Sequence, residues 1–339
     1  MPKTLRIGII GCGKIAHVDH VPGYKTVKGA RIVSLLDVKK GQINKLRQAH
    51  DLDADGFTDP KRFLASGLDA VTVCTPNNFH YPQTLAALKA GLHVLCEKPM
   101  AATPPETSRM IAAAKRARKV LQINQTLHYL PNYIKAAELV AQGKIGKPIH
   151  IRCLRAGGST PDKGWSPGAK WFVSKASQGG IVLDIGVHMA DLMKWIAGDI
   201  TEIAAYVDTR LRTIDVPDNA AALMRFENGA TGVLELSWTT PVGGGLLEVY
   251  GTKGTLRMGF TADHPIELIT PGLAGKPDKT THPKLKAKAR NSQQAFVDAI
   301  RGKAPSPTPG ELGRNAIALC DAIVKSGATA RFVKVKRYK

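Results

Sequence analysis

The chain has 339 residues, 43% of them hydrophobic, which exceeds the needs of one ordinary core and predicts two domains rather than a disordered chain. It has no run of about eighteen apolar residues, and Met1-Pro2-Lys3 leads directly into a strand, so we expect a soluble cytoplasmic protein without membrane span or signal peptide. The net charge of +21 is spread, with 19 Lys+Arg against 9 Asp+Glu in residues 1–125 and 29 against 18 in residues 126–339, which argues against a dedicated nucleic-acid-binding arm.

The first third alternates strand and helix patterns, as a parallel sheet covered on both faces requires. Strands are expected at residues 5–10, 31–36, near 57, and at 70–74, 92–96 and 120–123. Helices are expected over 14–27, up to about 50, around 61–65, up to 90, and from Pro104, where proline suits a first turn. This pattern predicts a doubly wound dinucleotide-binding domain over residues 1–124.

From residue 125 the pattern changes. One helix near 132–141 precedes strands at 149–155, 200–212, 220–226, 231–238, 246–250 and 255–258, with Asn228-Gly229 and Thr252-Lys253-Gly254 as hairpin turns. A long apolar helix over 181–196 follows Gly179-Gly180, and helices near 292–300 and 311–325 close the chain. Residues 125–339 therefore read as a second α/β domain built on a large, mostly antiparallel open sheet. The six basic residues Lys276, Lys279, Lys284, Lys286, Lys288 and Arg290 lie in a Pro-rich loop without interleaved aromatics and read as a solvated surface. Five widely spaced cysteines, Cys12, Cys74, Cys96, Cys153 and Cys320, read as reduced core residues, with neither a disulfide framework nor a metal site.

Gly11-Cys12-Gly13-Lys14-Ile15-Ala16 follows the first strand and opens the first helix. Gly11 allows the tight turn, Gly13 lets a pyrophosphate approach the backbone, and the helix-opening amides at Lys14 and Ile15 attract phosphate. Asp37, at the end of the second strand, is placed to accept hydrogen bonds from adenosine ribose hydroxyls and to repel a 2′-phosphate, which favours NAD; Lys39 and Lys40 could neutralise such a phosphate, which keeps NADP open. Thr75-Pro76-Asn77 ends the fourth strand on the same carboxyl edge. Asn77 and His80 could reach the nicotinamide half of the cofactor, or His80 could be a capping or core histidine. Glu97-Lys98-Pro99 ends the fifth strand on that edge and brings an amine to the cofactor, with Glu97 either beside the ligand or paired with a basic neighbour. Asp184 and His188, four residues apart on an otherwise apolar helix, share a face, and buried polar groups there are costly unless partnered.

In order and spacing, Gly11 to Ala16, Thr75-Pro76-Asn77, Glu97-Lys98-Pro99, Gly143-Lys144-Ile145-Gly146, the Asp184 to His188 block and a closing helix ending at Ser326 resemble the Gfo/Idh/MocA oxidoreductase family over nearly the whole chain. The resemblance implies hydride transfer between NAD(P) and a hydroxyl or keto group of a sugar, cyclitol or glycoside. It also implies that Lys98, Asp184 and His188 face the nicotinamide, His188 as the base, Lys98 on the same oxygen and Asp184 orienting the pair; the roles of His188 and Lys98 could be reversed. His128 stands where many relatives have an arginine, and with Trp165, Trp171 and Lys175 it is expected to line the substrate pocket. The same fold hosts glycosidases that retain NAD and oxidise transiently, and cofactor-sensing regulators that lack these catalytic groups. The broad sheet needs a cover for its open face, which predicts a homodimer or homotetramer.

Overall fold

The computed structural model describes residues 3–211, 213–259, 266–272, 276–285 and 291–338. It divides into two compact units, Met1–Thr126 with Arg290–Arg314, and Leu127–Ala289 with Asn315–Lys339.

The first unit holds six parallel strands, β1 (Leu5–Ile10), β2 (Ala30–Leu36), β3 (Asp55–Phe57), β4 (Ala70–Val73), β5 (His93–Cys96) and β6 (Leu121–Ile123), in the order β3-β2-β1-β4-β5-β6. Mostly buried apolar runs account for β1, β2, β4, β5 and β6, whereas β3, Asp55-Gly56-Phe57 at the sheet edge, is short and largely exposed. Helices α1 (Val21–Lys25), α2 (Lys40–Ala49), α3 (Pro60–Leu64), α4 (Asn77–Lys89) and α5 (Pro104–Ala117) connect them, α5 opening on a capping box of Thr103 and Glu106 with Pro104 at its first position. The helix expected over 14–27 is interrupted by a π turn, Ala16–His20, just ahead of α1. A π turn inserts one residue into helical phase and such turns concentrate at functional sites.

The expected boundary at residue 124 is not where packing ends. A later helix, named α8 below in chain order, joins the first unit: its Phe296 and Val297 sit in one core with Ile7, Ile9, Leu35, Ala70 and Leu95. Asn291 caps it by accepting from Gln294 N, and the Asn291 amide donates to Gly23 O and Thr26 Oγ1. Periodicity reveals such a helix but not which sheet its apolar face will cover.

In the second unit α6 (Pro131–Ala141) precedes a nine-stranded sheet, β7 (Pro148–Ala156), β8 (Ile200–Asp208), β9 (Asn219–Phe226), β10 (Thr231–Ser237), β11 (Gly244–Gly251), β12 (Gly254–Met258), β13 (Glu267–Thr270), β14 (Lys279–Thr281) and β15 (Val333–Lys334). The order is β14-β13-β12-β11-β7-β10-β9-β8-β15, with β10 and β7 parallel and the other neighbours antiparallel. The first expected strand of the hairpin region ends at Asp208; Arg212 lies outside the described residues. The short strands β13, β14 and β15 carry no buried alternation and are not legible in the sequence. The remaining helices are α7 (Val187–Ala197), α8 (Ser292–Ile300) and α9 (Gly310–Thr329).

One face of this sheet is apolar and buried, as the alternation in β9 and β10 requires. The other carries ion pairs, Arg152 with Glu235, Arg257 with Glu248 and Arg225 with Glu202, around exposed Leu223 and Tyr206, the latter 84% exposed. Of the basic cluster, Lys276, Lys279 and Lys284 are exposed, while Lys286, Lys288 and Arg290 lie outside the described residues. All five cysteines are buried and free. Among the described residues no helix is long and apolar enough to cross a membrane.

Candidate active site

Strand order reverses between β1 and β4, and in open parallel sheets the crevice at the carboxyl ends of such a pair is where ligands bind. Gly11 ends β1 with φ +96°, and a Cβ there would meet Cys74 O at 2.8 Å, so both conformation and space demand glycine. Gly13 is exposed, with nothing within 4 Å of where its Cβ would be, which leaves the helix opening at Lys14 and Ile15 accessible from outside. The Asp37 carboxylate, half-exposed at the tip of β2, accepts from Cys12 N at 2.9 Å and Lys39 N at 2.8 Å. It ties the glycine loop to β2 and, with about four lone-pair sites in all, keeps capacity for a ribose hydroxyl. Burial, followed by Asp37, pushes the Cys12 thiol up to about 12, so it stays protonated and unreactive. Glycine conformation, open space above the loop and a carboxylate at the β2 tip all fit a dinucleotide.

Thr75-Pro76-Asn77 leads from β4 into α4, with Pro76 just ahead of the helix, Asn77 buried and Thr75 Oγ1 donating to Gln83 Oε1 at 2.6 Å. His80 is turned inward. Its ring nitrogens lie 2.7 Å from Thr75 O and 2.8 Å from Pro99 O, and burial pulls it below the ordinary imidazole value. As a neutral ring it donates its one N–H to Thr75 O or to Pro99 O. The Lys98-Pro99 peptide is cis, and Lys98 is half-buried.

Glu97 is 6% exposed. Its Oε1 lies 2.9 Å from His20 Nε2 and accepts from Asn124 Nδ2 at 2.6 Å, while its Oε2 accepts from Lys98 N at 3.1 Å. Burial opposes ionisation, yet the His20 hydrogen bond and charge, with Asn124 and Lys98, hold Glu97 below the ordinary carboxylate value. Burial likewise disfavours charged His20, and Glu97 outweighs it, holding the imidazole above its ordinary value. The sequence offered Glu97 a basic neighbour without naming it; that neighbour is His20.

In the second unit the helix expected over 181–196 begins as a π turn, Val182–Gly186, and continues as α7. Gly180 has φ +104°, and a Cβ on Gly179 would lie 2.2 Å from Phe172 O, so the two glycines let the chain enter the turn hard against the preceding loop. Asp184 is buried within the π turn, and His188 is half-buried one residue into α7. Gly186 packs the turn onto Leu236 of β10, where a Cβ would meet Leu236 Cδ1 at 3.1 Å.

His128 belongs to the same unit and is half-buried. Its Nε2 lies 2.6 Å from Asp191 Oδ2 on α7, and its ring stacks on Trp195 with centroids 4.1 Å apart. Trp171 stacks on Phe172 at 3.6 Å, Trp165 is 50% exposed, and Lys175 is exposed with its backbone N–H on Asp215 Oδ1 at 2.9 Å. Sequence reading missed Arg155. Alternation in β7 puts it on the buried face with Ile151 and Cys153, yet it is exposed, and it pairs in register with Leu236. An arginine in phase with buried positions was the available signal. Reading also missed His20, Asn124 and Gln293, which no local pattern connects to Glu97.

Fold and dinucleotide corner together define an NAD-binding oxidoreductase. Residues 5–125 match the oxidoreductase family with an NAD-binding Rossmann fold, and residues 133–257 match the GFO/IDH/MocA C-terminal domain. The chain belongs to the Gfo/Idh/MocA family. It is 29% identical over 336 residues to the 1,5-anhydro-D-fructose reductase of Ensifer adhaerens, covering 98% of each chain. It is 27% identical over 343 residues to the myo-inositol 2-dehydrogenase of Thermotoga maritima, covering 98% of this chain and 99% of that one. Levoglucosan dehydrogenase in complex with NADH shares the fold, with a TM-score of 0.87 at 20% identity over 98% of this chain and 100% of that one.

Proposed function

We propose that this NAD-dependent oxidoreductase acts on a hydroxyl or keto group of a sugar, cyclitol or glycoside. The observation that carries the reading is the corner at the end of β5, where Glu97 fixes the Lys98 backbone on the same sheet edge as the glycine loop. Gly11, Gly13, Lys14, Ile15 and Asp37 would hold the adenosine and phosphate half of NAD, with Thr75, Pro76, Asn77, Glu97 and Lys98 toward the nicotinamide half. When bound, NAD supplies the hydride acceptor. His188 takes the substrate hydroxyl proton, Lys98 donates a hydrogen bond to the same oxygen, and Asp184 orients the two. Relatives named for anhydrofructose, inositol and levoglucosan support a polyhydroxylated substrate, and Arg155, with exposed Trp165, suits hydroxyl-rich rings.

The test is a panel of sugars, inositols, uronates and glycosides assayed for NAD reduction. NADH formed in proportion to substrate consumed is expected. Glycoside cleavage without accumulating NADH would replace the reading with transient oxidation by a retained cofactor, and no turnover with any of the panel would overturn it. Exposed Tyr206 and Leu223 support a homo-oligomer through the open face of the second unit's sheet, which light scattering at micromolar concentration checks. Buried reduced cysteines suit the cytoplasm.

A further inference from the structure

We infer that His20 is a positioning residue of the active site: with Asn124, Asp19 and Gln293 it fixes the Glu97 carboxylate, and through it the backbone of Lys98, in one orientation. The inference rests on the reading above that Glu97 and Lys98 serve the nicotinamide half of the cofactor.

The π turn Ala16–His20 brings His20 to full burial, 0% exposed, at the foot of the first helix. A buried imidazole is costly unless partnered on both nitrogens. Here Nε2 donates to Glu97 Oε1 at 2.9 Å, while Nδ1 accepts from Gln293 Nε2 at 3.1 Å in the neutral ring and has Asp19 Oδ2 3.8 Å away to face it when the ring is charged. Asn124 Nδ2 bridges two carboxylates, 2.6 Å from Glu97 Oε1 and 2.9 Å from Asp19 Oδ2, so its two protons serve one each. Gln293 Nε2 also reaches Asp19 Oδ2 at 3.3 Å. Gly23 leaves room for that side chain, since a Cβ there would lie 2.3 Å from Gln293 Oε1.

Four segments meet in this frame: the first helix, the end of β5, the end of β6 and the start of α8. Buried charge clusters are weak devices for stability, because apolar packing of equal volume does as well or better. Their use is to hold one arrangement. The oxygen of Glu97 that His20 and Asn124 leave unoccupied is the one that receives Lys98 N. Asp19, His20 and Glu97 also present ligand atoms within 4.8 Å of one another. The bridging Asn124 amide stands between the two carboxylates, where a cation would need to sit, so the group reads as a hydrogen-bonded frame.

The experiment measures binding of NADH, by its fluorescence, and of ADP-ribose, which lacks the nicotinamide, to the full chain and its variants. His20→Leu keeps volume and removes the donor. It is expected to weaken NADH about tenfold and ADP-ribose less than twofold, with His20→Gln restoring much of the NADH affinity. Equal loss for both ligands, or loss for neither, would overturn the inference, since a merely structural role has no reason to discriminate between them. Should His20→Leu fail to fold, Gln293→Met, on α8, is read the same way, with a loss for NADH of about threefold and none for ADP-ribose. Glu97→Gln separates the two levels of argument. If it leaves the NADH to ADP-ribose ratio unchanged, the assignment of this corner to the nicotinamide half fails; if it shifts the ratio and His20→Leu does not, only the role of His20 fails. Loss of NADH binding after dialysis against a chelator, restored by a divalent cation, would replace the frame with a metal site.

Discussion

The π turn Ala16–His20 follows Gly11 and Gly13 at the end of β1, and the π turn Val182–Gly186 follows Gly179 and Gly180 at the head of α7. Both turn a polar residue, His20 or Asp184, into a buried setting. In the first, polar partners fix the side chain: His20 is held between Glu97 and Gln293. In the second, apolar packing fixes the backbone, with Val182, Val187 and Leu192 buried and Gly186 seated on Leu236. The same local device therefore supports a hydrogen-bonded frame in one unit and, in the other, a packed turn that carries the groups proposed as reactive. Removing a partner from the frame costs a buried hydrogen bond, whereas the groups proposed as reactive on the packed turn can change with little loss of fold.

Replacing the reactive groups should have the largest effect on turnover and the smallest on folding. Lys98→Ala and His188→Ala are each expected to lower kcat by about 10²- to 10⁴-fold on a substrate found by the panel, with melting temperature nearly unchanged. Unchanged turnover in both would break the contrast between frame and presented groups. Gly11→Ala comes next. With φ +96° and Cys74 O at 2.8 Å from the new Cβ, it should weaken NAD binding by more than about tenfold and destabilise the first unit by about 1–3 kcal/mol, read by calorimetry and thermal unfolding.

Asp37→Ser removes the carboxylate at the β2 tip beside Lys39 and Lys40. The ratio of NAD to NADP affinity should fall about tenfold or more, and a ratio that does not move would deny Asp37 its contact with the ribose. The smallest effect is the pH dependence of the frame. Raised His20 stabilises the fold fully below the ordinary imidazole value of 6.5, and that contribution is lost as pH rises through its folded value. Lowered Glu97 stabilises above the ordinary carboxylate value of 4.5, and that contribution is lost as pH falls through its folded value. The melting gap between the native protein and His20→Gln should thus be widest between these values, about 2–4 °C, and narrow toward alkaline pH. A gap independent of pH would mean that His20 is not a charged partner of Glu97.

Strands and most helices were legible because apolar runs and turn residues are local signals. Gly11, Asp37 and Lys98 were legible for the same reason, each marking a strand end at the carboxyl edge. The π turns were not, since one extra residue in helical phase leaves no periodic trace over so short a stretch. Position alone left His80 open between a nicotinamide contact and a core histidine and placed His128 in the substrate pocket; the atoms they face, Thr75 O and Pro99 O for one and Asp191 for the other, arise from tertiary packing. The frame around Glu97 was least legible of all, because Gln293 lies 273 positions from His20.

That separation bears on how the molecule is made. Residues 5–125 are a coherent sequence match, but the core they build lacks Phe296 and Val297 until the chain has been synthesised past α8. The amino-terminal unit leaves the ribosome first, but its core is complete only after residues 127–289 of the second unit have been translated. A fragment ending at residue 126 would lack that part of its core, and joining residues 290–314 to it through a short linker should restore it.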